Sequence, residues 1–269
     1  MCKWILAGMA LWLLGACGGS ESTGPLPPST AVVLEAAAPD SLLSASQPLP
    51  FTALVQDSSG IENVVMVLLT LRRGEEVSEA DTLRLQETIA ADRAQFGAAF
   101  DSTFAAGKKG TYSLEFQAVD VENRVSDILV RQIYLQNEPP RMSNPVAPDT
   151  LQREIGVPLQ VHLTVTDPQG VADLDSIYFK FQKPDGSFGG ESRNEGGFPF
   201  WLFDDGNAVV SGDREANDGV FSWRFAIDVD PSNNEPPDIG TYTFIFFARD
   251  KVGHIVTMSK NFELIPLER

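Results

Sequence analysis

The residues of this chain best suited to chemistry lie between positions 204 and 219. Asp204-Asp205-Gly206-Asn207 is followed closely by Gly212-Asp213-Arg214-Glu215-Ala216-Asn217-Asp218-Gly219. A hard cation such as calcium needs several oxygens at about 2.3–2.6 Å, and tight loops of Asp, Asn and Gly supply them from side chains and backbone. Asp204, Asp205, Asn207, Asp213, Glu215, Asn217 and Asp218 are therefore the candidate calcium ligands. The same residue types also build ordinary turns, in which Asp and Asn accept bonds from nearby backbone N–H groups. Composition leaves both readings open. A second acidic set, Asp167, Asp173 and Asp175 with Asp250, has the residue types to gather at one end of a fold.

Aromatic residues stand beside the first set. Phe198, Phe200 and Trp201 precede the acidic loop, and Ile245 and Phe247 fall on the polar side of a later strand. Rings of this kind stack on sugars or on a protein partner. They also pack into their own core, or cover the apolar outer face that Ile245 and Phe247 create. These five residues are the candidate partner-binding positions. Catalysis has little to work with. His162 sits on the polar side of the Val161/Leu163/Val165 alternation, His254 follows a hairpin glycine, and neither has the companions of a triad or zinc site. An EF-hand is excluded too, because Asp218 stands where that loop requires glycine and Arg224 where it requires glutamate.

The elements that must position these residues repeat. Ala38-Pro39-Asp40-Ser41-Leu42 matches Ala147-Pro148-Asp149-Thr150-Leu151, and Leu54-Val55-Gln56-Asp57-Ser58-Ser59-Gly60-Ile61 matches Thr164-Val165-Thr166-Asp167-Pro168-Gln169-Gly170-Val171. Gly110-Thr111-Tyr112, with the strand running on to Asp120, matches Gly240-Thr241-Tyr242 and the strand running on to Asp250. The spacing is 109 to 110 residues for the first two blocks and 130 for the third, so the second copy carries about twenty extra residues in its middle. Within each copy, apolar residues alternate. Tyr112, Leu114, Phe116 and Ala118 share one face, as do Val65, Val67, Leu69 and Leu71, and Ile177, Phe179 and Phe181. With turns at Asp57–Gly60 and Pro168–Gly170, the pattern predicts about seven short strands per copy: all-β, two tandem immunoglobulin-like sandwiches.

On these motifs the copies resemble bacterial Ig-like and cadherin-like repeats. Gly-Thr-Tyr followed by an alternating strand ending Ala-x-Asp is similar to their last hairpin. Asn137-Glu138-Pro139-Pro140 is similar to the seam between successive modules. The Asp-Asp-Gly and Gly-Asp…Asp-Gly-x-Phe pieces resemble an Ig-like domain of bacterial surface proteins with varied anchors. The resemblance implies that Tyr112 and Tyr242 cap backbone at a strand corner, and that calcium near module junctions is worth testing. It also implies a role in binding or structure rather than catalysis.

The first twenty residues give an address. Lys3 precedes an apolar run from Trp4 to Leu14, then Leu14-Gly15-Ala16-Cys17, a secretory signal too short to span a bilayer. Its end resembles the lipobox of bacterial lipoproteins, which implies cleavage before Cys17, acylation of that residue and anchoring to the outer membrane. Removal of residues 1–16 leaves 253 of 269. The expected organisation is a signal over 1–16, a lipidated tether over 17–28, an Ig-like domain over 29–137 and a second over 138–269, with an insertion at about 184–218. The net charge of −17 argues against nucleic-acid partners, since an acidic surface repels phosphate. The expected function is a non-catalytic envelope protein that binds a protein or glycan partner or acts as a spacer. The alternative is a carbohydrate-binding accessory of a nutrient-uptake system, and an envelope hydrolase is the third class.

Overall fold

Alternating sequence becomes paired strand throughout the computed structural model, which describes residues 31–42, 48–154, 156–189, 199–226 and 237–267. The signal, Cys17, the tether, Phe198 and part of the insertion lie outside the described residues. The chain divides into two compact units, the first holding Gly110–Leu135 and the described residues up to Asp101. The second holds Ser102–Lys109 and the described residues from Gln136 onward. Each is an immunoglobulin-like β-sandwich.

The first unit contains β1 (Ala31–Ala37), β2 (Ser41–Leu42), β3 (Leu49–Asp57), β4 (Val64–Arg73), β5 (Glu76–Ala90), β6 (Arg93–Phe100), β7 (Gly110–Asp120) and β8 (Leu129–Leu135). Their lateral order is β1-β3-β6-β5-β4-β7-β8-β2. Strand β5 joins the two layers: it pairs with β4 as far as Leu83 and with β6 from Arg84 onward, with bulges between Leu85 and Glu87 and between Thr88 and Ala90. Bulges bend a strand and increase its twist, which lets one strand turn the corner from one sheet into the other. Phe51, Val55, Val67, Leu69, Leu71, Leu114 and Phe116 fill the space between the layers. Each such side chain stabilises the fold by roughly 1.5–3 kcal/mol through burial.

One expected position is corrected. Val65 does not share the inner face with Val67, Leu69 and Leu71; it is 53% exposed, and Val64 is buried instead. The register against β7 shifts between Val64 and Met66, and this bulge reverses the phase of the alternation at the start of β4.

The second unit contains β9 (Arg141–Val146), β10 (Thr150–Gln152), β11 (Pro158–Thr166), β12 (Leu174–Gln182), β13 (Phe200–Trp201), β14 (Val220–Ala226), β15 (Gly240–Asp250) and β16 (Ile255–Ile265). They form a five-stranded sheet, β10-β16-β15-β12-β13, and a three-stranded sheet, β14-β11-β9. The core is aromatic, with Phe179, Phe244 and Phe246 fully buried among Val161, Leu163 and Val165. Phe179 meets the rings of Phe200, Phe225, Phe244 and Phe246 at 5.1–5.9 Å. Tyr242 takes the expected corner role: its hydroxyl donates to the Asp238 carbonyl at 2.9 Å, which satisfies the strand edge.

Candidate functional site

The loop that carries the candidate calcium ligands folds back on itself through its own acids. The Asp204 carboxylate accepts from the backbone N–H of Asn217 at 2.5 Å, Asp218 at 3.3 Å and Gly219 at 2.9 Å. Asp205 Oδ1 accepts from Asn207 N at 2.9 Å and from Ser211 Oγ at 2.6 Å, while Asn207 Oδ1 accepts from Val210 N at 3.1 Å. Asp213 is buried and accepts from Gly206 N at 2.6 Å, and Asp218 accepts from Val220 N at 2.8 Å. Gly206 sits at φ 67°, where a Cβ would lie 3.1 Å from the Ala216 nitrogen, so the turn requires glycine there.

Asp204, Asp213 and Asp218 come within 4.8 Å of one another; Glu215 does not join them and is exposed, as are Asp205, Asn207 and Asn217. Burial raises the Asp204 carboxyl above its ordinary value, with the charge of Asp213 adding, whereas the Ser211 hydroxyl holds Asp205 below its own. These carboxylates accept from the backbone of their own turn and so help to shape it.

The aromatic candidates separate. Phe200 points inward and stacks on Phe179 and Phe181 at 5.1 and 5.4 Å. Its neighbour Trp201 points outward and is 46% exposed. Strand β13 extends the five-stranded sheet, so Trp201 pairs with Tyr178, and Tyr178 pairs with Phe247 on the next strand. Tyr178 stacks on Phe247 at 4.8 Å and 10°, and Trp201 meets Tyr178 edge-on at 5.4 Å. The result is a row of three rings across the outer face, with Ile245 half-buried on the same side of β15. The insertion thus covers the edge of that face through Trp201. Trp201 and Phe203 also line a cleft of about 270 Å³ with Asp175, Asp204 and Asn217.

The second acidic set assembles at the end of the sandwich, with one member exchanged. Asp167, Asp173 and Asp250 each place a carboxylate oxygen within 4.8 Å of the others. Asp175 points outward instead, 3.7 Å from Arg249, because the register of β12 shifts between Leu174 and Ser176. Burial pushes the Asp167 carboxyl up to about 6, with the charges of Asp173 and Asp250 contributing. Asn137, which the sequence presents only as part of a seam, donates from Nδ2 to Asp173 Oδ2 at 2.6 Å. His254 also has an acidic companion, four residues back: its Nδ1 lies 2.6 Å from Asp250 Oδ2, with Lys109 Nζ 2.9 Å from its Nε2. Burial lowers the pKa of His162, and the charge of Arg214 adds to the effect.

No protein-family model and no curated protein matches the chain. Similar solved structures exist at the level of fold. The fibronectin(III)-like modules of Clostridium thermocellum CbhA share 15% identity, with 89% of this chain and 97% of that one covered and a TM-score of 0.31. The tetra-tandem repeat from the extending region of a large adhesion protein shares 14% identity, with 84% and 48% covered and a TM-score of 0.41. Titin A168–A169 shares 12% identity, with 88% and 99% covered and a TM-score of 0.36.

Proposed function

We propose that this protein is a non-catalytic lipoprotein of the cell envelope, anchored through Cys17, whose second module holds a partner on the outer face of its five-stranded sheet. The signal and lipobox-like end of residues 1–17 support the anchor. The observation that carries the binding role is the outer-face aromatic row, in which exposed Trp201 continues onto half-buried Tyr178 and Phe247. An exposed tryptophan continuing onto two half-buried rings on the adjacent strands makes an apolar surface suited to contact.

A second reading, a glycan as that partner, is favoured by the cleft beside the row. Its lining combines Trp201 and Phe203 with Asp175 and Asn217, a mixture of aromatic and polar residues that suits a sugar's apolar face and hydroxyl edge.

Two measurements test the proposal. Mass spectrometry of the membrane-extracted protein reports diacylglycerol on Cys17, and Cys17→Ser moves the protein to the soluble fraction; an unmodified amino terminus on a membrane-bound protein overturns the anchor. Crosslinked capture from native membranes, and binding to immobilised polysaccharides, are lost in Trp201→Ala/Phe247→Ala while the far-UV spectrum is unchanged. Undiminished capture by the folded double variant overturns the assignment of the face.

A further inference from the structure

The cleft beside the aromatic row carries charge as well as rings, and that charge selects among sugars. Its lining includes the exposed rings of Trp201 and Phe203 together with Asp175, Ser176, Asp204 and Asn217. Asp175 reaches the surface because the register of β12 shifts between Leu174 and Ser176. Asp204 accepts from the backbone N–H groups of Asn217 and Gly219. Burial, with the charge of Asp213 adding, raises its carboxyl, so a positive charge brought into the cleft relieves part of that penalty.

The chain already draws one of its own cations to this place. Arg249 lies opposite Ser176 on β15 and brings its Nε to 3.7 Å from Asp175 Oδ2. The contact is long, and the two side chains are 52% and 47% exposed. An exposed pair of this kind contributes little, so a ligand displaces the guanidinium at small cost. The field of the whole chain acts in the same direction. At a net charge of −17 it repels uronates and sulfated polymers and attracts cationic ones.

A lysine or arginine of a protein partner would also bring a cation. Such side chains have donors only, so the amide N–H groups of Asn217 would find no acceptor on them. A pyranose supplies hydroxyl oxygens that accept and an apolar face for the rings. Where its amino group is free, it supplies an ammonium for the carboxylates as well.

We infer that the cleft selects amino sugars whose nitrogen is unacetylated, with Trp201 and Phe203 against the sugar ring and Asp175 and Asp204 taking the ammonium. This rests on the glycan reading of the same face and narrows it from sugars in general to cationic ones.

The test compares glucosamine hexamer with N-acetylglucosamine hexamer by calorimetry on the full chain, in a mildly acidic, low-salt buffer that keeps the amines protonated. The free amine form binds roughly tenfold tighter, the worth of one charge-assisted hydrogen bond, and the difference shrinks as salt is raised. Asp175→Asn brings the ratio close to one, and Arg249→Ala, which releases Asp175 from its own cation, enlarges it. Both positions are exposed, so neither substitution disturbs the fold. Equal binding of the two hexamers overturns the inference and leaves the glycan reading standing, whereas binding of neither overturns both. A ratio that survives Asp175→Asn arises from the net charge and overturns the site. Hexalysine binds weakly and keeps its affinity in Trp201→Ala; hexalysine that matches the glucosamine hexamer and depends on Trp201 overturns the sugar in favour of a basic peptide.

Discussion

Replacing Asp204 with alanine separates a turn-forming acid from a metal ligand. The substitution removes the acceptor for three backbone N–H groups, two of them at 2.5 and 2.9 Å and the third stretched to 3.3 Å. A hydrogen bond to a charged group contributes about 1.5–3 kcal/mol, so the two short bonds carry about 3–6 kcal/mol and the long one little. Against this stands the cost of holding a carboxylate half-buried beside Asp213, which its raised pKa records and which the alanine relieves. The net loss expected is about 2–3 kcal/mol, read as a fall of roughly 6–15 °C in melting temperature for a module of this size. The assay is thermal unfolding by circular dichroism, run in chelator and again in millimolar calcium. The loss is the same in both buffers if the loop's acids serve the backbone. A loss under about 0.5 kcal/mol refutes the hydrogen-bond argument, and a loss confined to calcium buffer assigns the loop a bound ion.

Two further outcomes follow from the packing and charge of the second module. Phe179→Ala opens a cavity among four neighbouring rings and costs about 3–5 kcal/mol in guanidinium unfolding; a cost below about 2 kcal/mol means the aromatic core collapses around the gap. His162 has its pKa lowered by burial from the usual 6.5, so the unfolded chain takes up a proton first as pH falls. Its contribution is therefore intact above about pH 6.5 and is lost progressively below it, and His162→Gln flattens the stability profile there; an unchanged slope contradicts the assignment.

What could be read from residues alone depended on whether burial was one-sided. Strands β7 and β15 alternate cleanly because one face of each is fully buried, and both repeats are visible for that reason. Strand β5 leaves no such trace: apart from Leu83, its residues are exposed or only partly buried, so period two carries no signal across the corner it makes. Bulges account for the misplacements at Val65 and Asp175, since a single extra residue reverses which side chain faces in, and composition does not encode it. The acidic loop at 204–219 is conspicuous in sequence because turns concentrate Asp, Asn and Gly, whereas the end cluster is assembled from positions 137, 167, 173 and 250.

The crossing made by β5 bears on how the first module comes together as it leaves the ribosome. Strands β4, β5 and β6 follow one another directly along the chain and pair in that same succession, so they meet through short closures. The partners of β1 with β3, β3 with β6 and β4 with β7 arrive across longer stretches and bear a larger entropic penalty. A meander from residue 64 to residue 100 is thus the cheapest nucleus, and because its middle strand belongs to both layers, it templates an open edge for each at once.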